Sequence, residues 1–218
     1  FERLKGFTLT AKSLINTDLG NLDIDFHLSP DKQFQGEVNT ENLNLCQLLD
    51  NEQLGIIAPR LVLNGQLSKG QPTINAQGFI SHIDYQAYPF SNIGLDGSYS
   101  PKGVSGFIKI DDPNLEAELE GEWSDEGQQN SPHKISLQGF ITHMAPQALK
   151  LTDKWRDAVF KADIDANLTA RTINDAQGNL RLSNLTMTDG QHDAYHLDNL
   201  LLTSGFEDQQ HYITLVSD

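Results

Sequence analysis

The stretch Leu115-Glu116-Ala117-Glu118-Leu119-Glu120-Gly121-Glu122-Trp123 alternates apolar and acidic residues without a break. Successive side chains of a strand point to opposite faces, so this run has one apolar face and one wet, acidic face. A helix would scatter the same residues around its whole circumference. The pattern recurs on both sides. Leu22, Ile24, Phe26 and Leu28 alternate with Asp23, Asp25 and His27, and Ala162, Ile164, Ala166 and Leu168 alternate with Asp163, Asp165 and Asn167. Further strands are predicted at Leu61–Leu67, Thr73–Tyr85, Asn92–Ser98, Val104–Ile110, Lys134–Ile141, Gly178–Thr188, Tyr195–Ser204 and Tyr212–Val216. Turn formers at Ser68–Gly70, Ser100–Gly103, Asp111–Asn114 and Asp189-Gly190 separate them. The fold class is all-β with little helix. Two short helices are expected: Leu43–Leu49, capped by Asn42, and Pro146–Val159, whose Leu149, Trp155 and Phe160 could cover a sheet end. The polar segment Ser124–Lys134 reads as a long loop.

Several glycines (Gly65, Gly97, Gly121 and Gly139) stand where the alternation calls for a buried side chain. They predict either bulges and bends or a close approach of inner faces. Weak repetition runs through the same strands. Ala76-Gln77-Gly78 returns as Ala176-Gln177-Gly178, and Phe34-Gln35-Gly36 is echoed by Leu137-Gln138-Gly139. Tyr88-x-Phe90-x-Asn92-Ile93-x-Leu95 returns as Tyr195-x-Leu197-x-Asn199-Leu200-x-Leu202. Repeats spanning about 76–123 and 176–216 predict one repetitive β domain over residues 1–218, a sheet that grows along one axis.

Composition narrows the function. The chain of 218 residues carries 15 Lys and Arg against 30 Asp and Glu, a net charge of −15. That field repels phosphates, so no nucleic-acid partner is expected. No window is apolar enough to span a bilayer. A single cysteine, Cys46, precludes an intramolecular disulfide. The sequence starts at Phe1 and stops at Asp218 within the pattern and reads as a segment excised from a longer protein.

Candidate sites are sparse. Asp111-Asp112-Pro113-Asn114 resembles a calcium loop only in composition; the spacing fits a type I turn. His192 and His196 are four apart, a metal-binding spacing on a helix but one that lies about 13 Å along a strand. Glu116, Glu118, Glu120 and Glu122 share a strand face and read as solvated rather than as an acid–base pair. Cys46 reads as a small buried apolar residue. No catalytic residue, metal or cofactor is expected. The aromatic cluster Tyr85, Tyr88, Phe90, Tyr99 and Phe107, with Tyr195 and Phe206, reads as core or as the lining of an apolar surface.

The run from Gly78 to Gly97 (Gly-Phe-Ile-Ser-His-Ile-Asp-Tyr-Gln-Ala-Tyr-Pro-Phe-Ser-Asn-Ile-Gly-Leu-Asp-Gly), followed by Asp111–Gly121 and Ala162–Phe206, resembles the TamB family within the AsmA-like group. The resemblance covers most of the chain and carries no catalytic motif. It implies a periplasmic protein tethered to the inner membrane by a segment not present in this sequence. It also implies an elongated, curved sheet folded into a trough with an apolar lining, the β-taco. The function it implies is carriage of phospholipid between inner and outer membranes, with phospholipid acyl chains and an outer-membrane assembly partner protein as partners. The residues expected to line the apolar groove are Leu22, Ile24, Phe26, Leu28, Leu61, Leu63, Ile93, Leu95, Leu115, Leu119, Ile164, Leu168, Leu180, Leu182, Leu200 and Leu202. Two other readings fit the alternation: a module that supports outer-membrane protein assembly by β-strand pairing, and an adhesin-like domain with an exposed aromatic platform. A sandwich with a closed core fits it as well.

Overall fold

A computed structural model describes residues 8–125, 132–171, 175–189, 194–207 and 210–218. It is all-β with one helical turn, and the chain divides into two compact units, Phe1–Pro101 and Lys102–Asp218. The first unit holds β1 (Leu9–Thr17), β2 (Gly20–Leu28), β3 (Gln33–Asn39), β4 (Leu43–Asn44), α1 (Leu45–Leu49), β5 (Leu54–Gln66), β6 (Thr73–Tyr85) and β7 (Tyr88–Ser100). Its sheet order is β1-β2-β3-β5-β6-β7, with the two-residue β4 paired to β5. The second unit holds β8 (Gly103–Asp112), β9 (Leu115–Ser124), β10 (His133–Met144), β11 (Val159–Ala170), β12 (Gln177–Thr188), β13 (Ala194–Glu207) and β14 (Gln210–Ser217), paired in that order. Every pair described is antiparallel, and within neither unit does the strand path close on itself.

Two helical expectations need correction. The first helix is shorter than predicted: Leu43 and Asn44 are strand, and the cap is Asn44, whose side chain accepts a hydrogen bond from the Gln47 amide at 3.1 Å. Pro146–Val159 is not a helix: residues 146–158 form turns and bends, and Val159 opens β11. Lys150, Trp155 and Asp157 all have left-handed backbones, with φ of 61°, 57° and 57°, which no α-helix accommodates. Of the segment predicted as a long loop, residues 126–131 lie outside the described residues. Its two ends are the last residue of β9 and the first two of β10.

The glycines do not mark a close approach of two sheets. Gly65 is covered by the neighbouring strand: the ring of Phe34 would lie 2.9 Å from a Cβ there. Leu137 stands in the same relation to Gly121, at 3.4 Å. Gly78 and Gly178 are conformational requirements. Both have positive φ (157° and 135°), and a Cβ at either would sit 2.1 Å from a carbonyl oxygen of the adjacent strand. The repeated Ala-Gln-Gly is thus a repeated backbone device, shared by Gly139 but not by Gly36, whose φ is not positive. A second device pairs differently from the sequence repeat. Asn92 in β7 is left-handed at φ 54°, and its conformational counterpart is Asn184 in β12 at φ 52°, within Ser-Asn-Leu, rather than Asn199. Register shifts put an extra residue in β5, β6, β10 and β12; such bulges bend strands and strengthen their twist.

Burial is thin. The buried apolar residues are Phe34 and Tyr88 in the first unit, and Leu149, Ala117, Ala158, Ala162, Ala166 and Ala170 in the second. Among the described residues, no large side chain is fully buried. The accessible surface is 15106 Å² for a 24.2 kDa chain. Two entirely separate compact globules sharing that mass would expose about 12,000 Å². Along the described strands the apolar positions are mostly half-buried, so their faces are left partly uncovered. A sandwich would have buried one face of every strand.

Candidate functional site

Paired residues of an antiparallel ladder share a face, so the register assembles the site directly. In the first unit one row runs Phe26–Gly36–Leu63–Ala76–Gly97 across β2, β3, β5, β6 and β7. The next runs Ile24–Val38–Leu61–Gly78–Leu95, and Pro59–Ile80–Ile93 follows. Leu28 pairs with Phe34, Leu22 pairs with Ile15, and the Phe26 and Phe34 rings stack at 5.8 Å. In the second unit one row runs Leu119–Gly139–Ile164–Leu182–Leu200, and another Leu137–Ala166–Leu180–Leu202–Leu215. Leu168 pairs with Ile135 and Gly178, while Leu115 pairs with Met144. The sixteen residues expected along the groove thus fall on one apolar face within each unit. Each of the sixteen is half-buried, neither enclosed nor open. Neighbours along the sheet flank these side chains, and water still reaches them.

The opposite face is polar and wet. Across β8 to β11, Lys109–Glu118–Phe140–Asp163 and Phe107–Glu120–Gln138–Asp165 form successive rows. The glutamates are held by neighbours: Glu116 accepts from the Thr142 hydroxyl at 3.0 Å, Glu118 pairs with Lys109 at 2.5 Å, and Glu120 accepts from the Gln138 amide at 3.3 Å. The Glu118 carboxylate, through its hydrogen bond first and its charge second, holds the Lys109 ammonium above the usual lysine range. Asp25 does the same to Lys12 across 2.6 Å. This is a solvated ladder, as the alternation implied. Phe107, by contrast, lies on this face at 40% exposure and not on the apolar one, alongside Phe140 at 41%. Tyr99 and Phe90 do join the apolar face, opposite Ile74 and Ile83.

The remaining candidates resolve simply. Asp111 and Asp112 end β8 and Pro113-Asn114 make the β8–β9 turn, where the Asn114 amide donates a hydrogen bond to the Asp112 carboxylate at 2.9 Å. His196 lies on β13 and hydrogen-bonds Asp198 at 2.8 Å, while His192 lies outside the described residues. No metal-binding cluster occurs among the described residues. Cys46 is a free thiol on α1, half-buried rather than buried.

One row escaped the sequence reading. Leu115, Met144, Phe160, Met187 and Tyr195 pair in succession across β9 to β13 at one end of the apolar face. The row contains both methionines of the chain, the most adaptable apolar side chains. That the only two methionines sit far apart in strand-like sequence was the available signal. No protein-family model, curated protein or solved structure matches the chain.

Proposed function

We propose that the apolar faces of the two units hold lipid acyl chains, and that the chain is a segment of a TamB-like, AsmA-like conduit that carries phospholipid across the periplasm. One observation carries this reading: sixteen apolar residues lie in continuous rows on faces that remain half-covered. An acyl chain of sixteen carbons costs on the order of 12 kcal/mol to expose to water. A face of Leu, Ile and Phe removes most of that cost without polar specificity, and the alternation along strands such as β2, β9 and β11 keeps the other face soluble. Transfer is passive, with lipid sliding along the rows from supply to removal. The family resemblance supplies the compartment, the inner-membrane tether and an outer-membrane partner engaged through regions outside this segment.

Native mass spectrometry with lipid extraction tests the reading. Phospholipid should accompany the purified chain and be lost from a folded Leu119→Arg variant, which puts a charge in the middle of a row. A lipid-free, stable protein would reject it and favour the strand-pairing module.

A further inference from the structure

The segment between β10 and β11 is chemically unlike the rest of this acidic chain. Three of the fifteen basic residues, Lys150, Lys154 and Arg156, fall within seven consecutive positions. Asp153 and Asp157 share the segment, which still carries net positive charge in a chain of −15. Lys154 and Arg156 are exposed, and neither side chain has an ion-pair partner among the described residues. Between and beside them, Leu151 is 60% exposed and Trp155 56%. The segment is nevertheless fixed. Leu149 is buried beneath it, the Leu149 and Leu151 amides donate to the carbonyls of Ala145 and Pro146, and the Trp155 ring contacts Phe160 at 5.4 Å. Trp155 takes a left-handed backbone that bulky side chains avoid, and its indole is held out in solvent all the same.

Phe160 belongs to the row Leu115–Met144–Phe160–Met187–Tyr195, so Trp155 joins the exposed turn to the rim of the apolar face. Tyr195, at the end of that row, is 57% exposed. A tryptophan flanked by basic residues, as Trp155 is by Lys154 and Arg156, is the composition of a membrane–water interface: the ring takes the headgroup level, and the cations meet phosphates. An exposed leucine beside them gains only from an apolar environment. We propose that residues 149–157 dock the chain on the surface of a bilayer containing anionic phospholipid, with Lys154 and Arg156 on the headgroups and Leu151 and Trp155 entering the interface. The net charge of −15 does not forbid this, because salt screens repulsion beyond ~8 Å while contact at the turn is direct. The docking site is independent of the acyl-chain reading, since a chain that carries no lipid would still bind the surface here.

The test uses the whole chain with Trp123→Phe, which leaves Trp155 as the sole tryptophan of the original two. Vesicles of phosphatidylcholine with phosphatidylglycerol are compared with pure phosphatidylcholine. The expected result is partitioning onto the anionic vesicles, with a blue shift of Trp155 emission and quenching by lipids brominated near the headgroup. Lys154→Glu with Arg156→Glu should weaken partitioning about tenfold or more, with far-UV circular dichroism unchanged. Lys154→Gln with Arg156→Gln, which adds no acidic charge, should weaken it by less. Absence of partitioning, binding without a Trp155 shift, or wild-type binding by both double variants would each overturn the proposal. Failure to co-purify lipid would overturn the conduit and leave this result untouched.

Discussion

On β9, Leu119 and Glu118 are adjacent in sequence and belong to different surfaces. Leu119 stands in a row of Gly139, Ile164, Leu182 and Leu200, while Glu118 stands in a row of Lys109, Phe140 and Asp163. The polar face also carries large apolar side chains, Phe107 and Phe140, each isolated among carboxylates and amides. What separates the faces is continuity. Register places apolar residues next to one another on one side for five strands, and across β8 to β12 interrupts such contacts on the other.

Breaking the rows at the backbone has the largest effect. Gly139→Val forces a side chain into a left-handed position whose Cβ would lie 2.1 Å from the Glu118 carbonyl. It should cost at least about 3 kcal/mol in urea denaturation. Emptying a covered position comes next. Phe34→Ala, at 8% exposure, should lose roughly 3 kcal/mol, while Leu119→Ala on the half-covered face should lose only about 1 kcal/mol. Equal losses would show that Leu119 faces a closed core. The smallest effects belong to the polar face. Phe107→Ser should leave stability within about 0.5 kcal/mol and raise solubility. Lys109→Gln removes an exposed pair whose contribution is small. Because the Lys109 pKa is raised on folding, that contribution is complete below the free-lysine value of 10.5 and disappears as pH climbs through the folded value. Thermal melts of K109Q and wild type should therefore converge only at higher pH.

The sequence made most strands legible because they alternate for long enough to exclude a helix, and Thr73–Tyr85 matches to the residue; β1, where Leu14 and Ile15 are adjacent, and the seven-residue β3 were not predicted. The face followed from the same alternation, since antiparallel pairing of like parity is all that the rows need. Two further features were hidden. The 145–158 segment has helix-like spacing of Leu149, Trp155 and Phe160, yet Leu149 and Phe160 answer to different neighbours and three left-handed residues turn the chain between them. Its short polar residues, Thr152, Asp153 and Asp157, are turn formers that the apolar spacing outweighed. The second is the Met144–Phe160–Met187 row. It depends on bulges in β10 and β12 that shift register near the strand ends, and such offsets leave little trace in composition.

The strand order has a consequence for how such a chain can change. Apart from the small β4–α1 excursion, every strand described in a unit hydrogen-bonds to the strand before or after it in sequence. Contacts are local, so ordering can begin at any hairpin and spread to its neighbours. A duplicated hairpin adds two strands, restores the direction of travel and leaves inner and outer residues on their own sides. Length is therefore a quantity that gene duplication can adjust without redesigning a single existing contact.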